Sequence, residues 1–266
     1  MTQEGIRLHF KIDEDYFLVH LLTCSSGDDN YSSTEYQKDI VMFLNEAWKK
    51  DRNVYNLLAG ISQSVFTIGN GKLVEATIRA ADYLSEVKQL SQFRKLISQT
   101  QSYVRFCEDQ WKKNYLVASS FIRDITGFNL NKDMDVYVTH PNLRNGDCLV
   151  KYGIIEWGHH EDSQNYATVY LWHEILHSYL DMNYVTIGYH DGISSFVEGV
   201  VESITDEMLR CKLNGEPYEP FVGREELIPF KRKLLPMLEA RTKGGASLFS
   251  DFMETAKQIF IKEFKK

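Results

Sequence analysis

Apolar residues recur at helical spacing over most of the chain and alternate at strand spacing only near its start and middle. Ile6, Leu8, Phe10 and Ile12 alternate, and residues 16–23 are rich in strand formers, so the sequence predicts a hairpin turning at Asp13-Glu14-Asp15. A polar loop follows over residues 25–33. Ser33 or Thr34 then caps a helix carrying Ile40, Val41, Phe43, Leu44 and Trp48. Residues 53–66 read as a further helix, and Gly69-Asn70-Gly71 breaks the chain. From Lys72 to Ile125 there is neither Pro nor Gly, and Leu73, Leu84, Val87, Phe93, Leu96, Val104 and Trp111 keep a helical period. That length predicts two or three helices, with breaks near residues 83–86 and 100–103. They form a plain helical scaffold or one wall of a cleft.

Beyond Gly127 the pattern changes. Residues 134–139 and 148–157 read as two strands around a turn at residues 141–147. A loop carrying His159 and His160 leads into an apolar helix. Val169, Trp172, Leu176 and Leu180 mark its buried face, with Asp162, Ser163 and Asn165 as N-cap candidates. A second helix over residues 191–206 has Phe196, Val197, Val200, Val201 and Ile204 on its apolar side. Two more follow over residues 224–240 and 247–264, the first kinked or split by Pro229 and Pro236. The fold class is α+β and mostly helical, with a short antiparallel sheet. An N-terminal hairpin and helical scaffold (1–127) precede a region with the second sheet segment and the C-terminal helices (128–266), together one compact unit.

Composition narrows the functions. A net charge of −7 supplies no basic excess to neutralise phosphates, which argues against a nucleic-acid partner. Cys24, Cys107, Cys148 and Cys211 are widely spaced with no C-x-x-C pair, and read as reduced thiols of a cytoplasmic protein. The first residues are too charged for a signal peptide, although a trimmed leader would leave secretion open. The apolar run 17–22 is too short to span a membrane.

The candidate chemistry lies in His173-Glu174-Ile175-Leu176-His177, an H-E-x-x-H on the apolar helix. Residues four apart share a helix face, so both imidazoles can address one ion, and Zn²⁺ suits them. Glu174 is placed to act as general base on a water at that ion. On the next helix Glu198, Glu202 and Asp206 are spaced four apart. Carboxylates repeated on an otherwise apolar helix are poor core residues unless they bind something.

At these residues the chain resembles the gluzincins, the thermolysin-like zinc metallopeptidases; the likeness covers residues 134–213. Val197-Glu198-Gly199-Val200-Val201-Glu202 resembles their E-G-x-x-E form, in which the Glu before Gly binds zinc. By that likeness His173, His177 and Glu198 are the ligands, and Glu202 lies behind them. Glu202 to Asp206 also fits the E-x-x-x-D form, which would make Glu202 the ligand and Asp206 the residue that orients a ligand His. The metzincin pattern is absent: Leu180 and Asn183 stand where its Gly and third His would be. The resemblance implies a zincin-like catalytic core and a peptide or protein substrate. It also implies that the strand at residues 149–157 is a sheet edge able to pair with substrate backbone. Tyr189 and His190 are candidates to share transition-state charge, as are Tyr184 and Tyr218. A second ion near His159 and His160 is a further reading of that pair. The rival functions are a zincin-like binding protein without turnover and a helical interaction protein in which the motif is accidental.

Overall fold

The apolar run after Asp13 folds as a helix, not as the second strand of a hairpin. This is seen in a computed structural model, which describes residues 5–24, 35–59, 80–143, 145–149, 153–159, 163–184, 193–215, 221–244 and 248–264. Asp13 is the reason. Its carboxylate accepts the amide of Tyr16 at 2.9 Å and its carbonyl accepts that of Phe17 at 2.8 Å, an N-cap where the sequence predicted a turn. Helix α1 (Glu14–Cys24) follows strand β1 (Ile6–Lys11) directly. Residues 16–23 are all buried, so the helix is enclosed on every side and shows no amphipathic period.

The chain groups into two compact units, each built from several segments, and the grouping cuts across the 1–127 and 128–266 division. One unit comprises residues 8–108 and 135–160. It contains α1, α2 (Glu35–Lys50), α3 (Arg52–Ala59), α4 (Ala81–Lys88) and the first part of α5 (Ser91–Thr126). Its core gathers Phe17, Phe43 and Phe93, with ring centroids 6.0 and 5.8 Å apart. The caps expected at Ser33 and Thr34, and the extension of α3 to residue 66, lie outside the described residues. So does the start of the helical run at residues 72–79. Its first break falls at Gln89–Leu90, and no break occurs at residues 100–103. Thr100 is absorbed there because its hydroxyl donates to the Leu96 carbonyl at 2.9 Å.

The sheet is mixed, not antiparallel. Its four strands run in the order β1, β2 (Lys132–Val138), β4 (Ile154–Gly158), β3 (Asn145–Leu149). β2 pairs parallel with β4, Val136 opposite Ile155, and β3 pairs antiparallel with β4, Cys148 opposite Ile155. The strand predicted at residues 148–157 is therefore two strands. Gly153, at φ 64°, supplies the left-handed turn between them. β4 is an interior strand with every residue buried, so it is not the exposed edge that the resemblance implied; β3 occupies the outer position. Continuous burial on β4 erases the alternation that a sequence reading looks for.

The other unit comprises residues 1–7, 109–134 and 161–266. It contains the rest of α5, then α6 (Tyr166–Tyr184) and α7 (Ile193–Glu202). A π-helical segment (Ser203–Leu209), α8 (Arg210–Asn214), α9 (Ile228–Thr242) and α10 (Phe249–Phe264) follow. Trp111, Tyr115 and Trp172 pack together in one part of its core, and Phe196, Phe230 and Phe260 meet at tilted and edge-on angles in another. Pro229 lies in the first turn of α9, where no amide is needed. Pro236 lies inside that helix without ending it, because Leu234, Leu235 and Leu238 stay buried around it.

Candidate metal centre

Helix α6 is placed by buried polar contacts as well as by its apolar face. Asn165, just before its first residue, adopts a left-handed φ of 61°. Its side-chain oxygen accepts from Asn114 at 2.9 Å, and its amide nitrogen donates to Asn214 at 2.8 Å. Its side chain therefore anchors the helix to its neighbours, while its carbonyl accepts the amide of Val169 at 3.1 Å, the first bond of the helix. The Ser163 carbonyl accepts the amide of Tyr166 at 3.3 Å, and Asp162 lies outside the described residues. Gln110 of α5 serves the first turn, accepting the Thr168 amide at 3.4 Å and, through its carbonyl, the Thr168 hydroxyl at 3.0 Å. Val169, Trp172, Leu176 and Leu180 are buried, which leaves His173 and His177 together on the half-buried face.

The partner helix runs unbroken from α7 through the π segment into α8, since the residues at both junctions keep right-handed helical angles. Eight residues carry an α-helix about 80° beyond two full turns. Glu198 and Asp206 would then point in different directions. A π turn takes more residues per turn and offsets that excess, so both carboxylates reach the histidines. Glu198 Oε2 lies 3.3 Å from His177 Nε2, and Glu198 Oε1 lies 3.7 Å from His173 Nε2. Asp206 Oδ1 lies 3.0 Å from His173 Nδ1 and also accepts the Thr205 hydroxyl at 2.8 Å.

The centre is electrostatically strong. Burial pulls the His173 pKa down, but the Asp206 carboxylate and its hydrogen bond overcome this and raise it to about 9. Burial pushes the Glu198 carboxyl up, yet the hydrogen bond from His177 and the positive charge of His173, His177 and Arg224 hold it down at about 2. Glu174 is buried beside this cluster.

The donor set fits zinc. One donor atom each from His173, His177 and Glu198 lie within 4.8 Å of one another, and among the described residues they form the one such group. Two nitrogens bound about 2.0–2.1 Å from a tetrahedral ion stand roughly 3.3 Å apart. The two Nε2 atoms are 3.2 Å apart, close to that edge. With its Nδ1 engaged by Asp206, His173 presents Nε2 to the shared point, the carboxylate–histidine pairing common behind zinc ligands.

Other candidates fall elsewhere. Glu202 faces away from the histidines, with its carboxylate on the Lys231 ammonium at 2.8 Å and on the Arg224 amide at 3.1 Å. His159 stacks on Trp157 at 6.0 Å, and its amide donates to Tyr103. Tyr189, His190, Tyr218 and His160 lie outside the described residues, as does the side chain of Tyr184. Sequence reasoning passed over Arg224, whose Nε lies 3.7 Å from Glu198 Oε1, and the buried group Glu207 and Lys231. Lys231 did leave a signal: it shares a helical stripe with Leu234, Leu235 and Leu238, a place where a lysine needs a partner.

Comparison of the chain with protein-family models, with curated proteins and with solved structures gives no match. Among the described residues no helix is long and apolar enough to cross a membrane.

Proposed function

We propose that the protein is a zinc-dependent hydrolase acting on peptide bonds, with His173, His177 and Glu198 as the metal ligands. The observation that carries this reading is the convergence of those three side chains, one donor atom of each within 4.8 Å of the others, with Asp206 behind His173. The H-E-x-x-H order and the likeness to gluzincins support it from the sequence side.

Zinc held at such a donor set supplies a Lewis acid and makes a nearby water acidic. With such an ion bound, Glu174 would take the proton of the attacking water and return it to the departing nitrogen. In the metal-bound form Asp206 would hold the proton of His173 on Nδ1, and Nε2, having given up its own proton, would turn its lone pair to the ion. Arg224, half-exposed with its Nε 3.7 Å from Glu198 Oε1, adds positive charge at the rim of this donor set.

The test is metal content followed by turnover. Protein purified without chelator or nickel is expected to carry close to one zinc per chain, and His177→Ala to carry none. Glu174→Gln should keep its zinc and lose on the order of a hundred- to ten-thousand-fold in peptide hydrolysis, because an amide accepts no proton. Metal-free wild-type protein would overturn the reading. Zinc-loaded protein inactive on a broad peptide library would make it a binding module.

A further inference from the structure

The sequence offers two glutamates for one ligand position, Glu198 and Glu202, and a buried lysine from another helix separates their roles. Lys231 of α9 is fully buried, with side-chain exposure of 0 %. Its ammonium uses all three of its protons. It donates to Glu202 Oε2 at 2.8 Å, to Glu207 Oε1 at 3.0 Å and to the carbonyl of Val222. The same two carboxylates take the backbone of the segment just before α9. Glu207 accepts the amide of Val222 at 3.0 Å and Glu202 accepts the amide of Arg224 at 3.1 Å. Gly223 lies between them at φ +80°, and a Cβ there would stand 2.5 Å from the Glu202 carboxyl carbon. Residues 221–224 are thus strapped across the junction of α7 and the π segment, and the strap ends at Arg224, beside Glu198.

Stability alone is a poor account of this cluster. Desolvating an ammonium and two carboxylates costs free energy, and an apolar trio of similar volume often serves a core as well or better. What charged partners supply and apolar ones lack is direction. Glu202 ends the α-helical part and Glu207 lies within the π segment that follows, and each is tied to the same point on α9. The rotation of the intervening helix is thereby set, and with it the alignment of Glu198 and Asp206 on the two histidines.

We propose that Lys231 is a positioning residue for the metal centre: through Glu202 and Glu207 it holds the π-helical register that presents Glu198 and Asp206 to His173 and His177, and it keeps Glu202 from the metal. This rests on the zinc reading above and adds the residue that decides which glutamate serves.

The experiment compares wild-type protein with Lys231→Met, Lys231→Arg and Gly223→Ala. The exposed Lys233→Met, which breaks the surface pair with Glu263, is the control. Zinc affinity is read by competitive chelator titration, and ligand geometry by the visible absorption of the cobalt-substituted protein. Near-ultraviolet circular dichroism reports whether each variant is folded. Lys231→Met is expected to bind zinc about ten- to a hundred-fold more weakly, the cost usual for a group supporting metal ligands, and to change the cobalt bands. Lys231→Arg should recover part of both, and Lys233→Met should alter neither. If Lys231→Met does not fold, Gly223→Ala carries the test, since it displaces Glu202 without removing a charge, and it should move both readouts in the same direction. A folded Lys231→Met or Gly223→Ala with the zinc affinity and cobalt spectrum of wild type overturns the proposal. Wild-type protein that takes up neither zinc nor cobalt overturns the zinc reading itself, which is a different result.

Discussion

His140 shows how burial gives a single residue a pH dependence. It is buried in the unit that holds the sheet. Its Nε2 lies 3.2 Å from Gln99 Oε1, and its Nδ1 accepts the amide of Asn142 at 3.3 Å, an arrangement that suits the neutral ring. Burial lowers its pKa to about 4, with the nearby Asp39 opposing the shift. The folded state therefore binds fewer protons than the unfolded state between about pH 4 and the ordinary histidine value near 6.5. Stability from this residue is complete above that window and is lost as pH falls through it. Between pH 7 and pH 5 the loss is about 2 kcal/mol. His140→Gln keeps an amide donor for Gln99 but gains no proton, so its denaturant midpoint should change less over that range than the wild-type midpoint. Equal changes in both proteins would show that His140 is not the sensitive group. At the same scale, burial holds the Cys107 thiol at about 12. It should resist alkylation by iodoacetamide at neutral pH until the protein is unfolded; mass-spectrometric labelling of Cys107 in native protein would contradict this.

At the scale of elements, the helix carrying Glu198 depends on a close approach. Gly199 faces α9, and a Cβ there would come within 2.7 Å of the Phe230 ring. That ring is fully buried between Phe196 and Phe260 and has no room to give. Gly199→Ala should therefore destabilise the protein by about 1–3 kcal/mol, the usual cost of overpacking. A chemical denaturation curve that matches wild type would show the contact to be looser than described. The amphipathic helices α2, α5 and α10 were legible in the sequence because one face meets water and the other does not. α1 was not legible. Residues 16–23 are buried all round, so the period vanished and strand propensity remained. The single change that could have corrected the reading was to take Asp13 as a helix cap.

At the scale of the whole molecule, His173, His177 and Glu198 belong to one of the two units, and the sheet belongs largely to the other. Zinc that binds only the folded protein stabilises it by about 2.7 kcal/mol at a free concentration a hundred times its Kd. Hydrogen exchange with and without zinc should therefore slow the amides of α6, α7 and the π segment most, and those of β3 and β4 least. Uniform slowing of both groups, or none, would mean that zinc does not act through this centre.

The sequence by itself determined the helix-rich class, the turn of α6 that puts His173 and His177 on one face, and the presence of acidic residues on the helix after it. These are consequences of local periodicity, which one segment contains in full. Only the tertiary structure decided where each carboxylate lies. Glu198, Glu202 and Asp206 are equivalent by spacing, and no local rule separates them. The π segment turns Asp206 back towards His173, and Lys231, 29 residues beyond Glu202, draws Glu202 away. The parallel pairing of β2 with β4 was likewise beyond a local reading. Parallel neighbours must be joined by a crossover, and here the crossover is a short helical turn and another strand, which in sequence look like an ordinary hairpin.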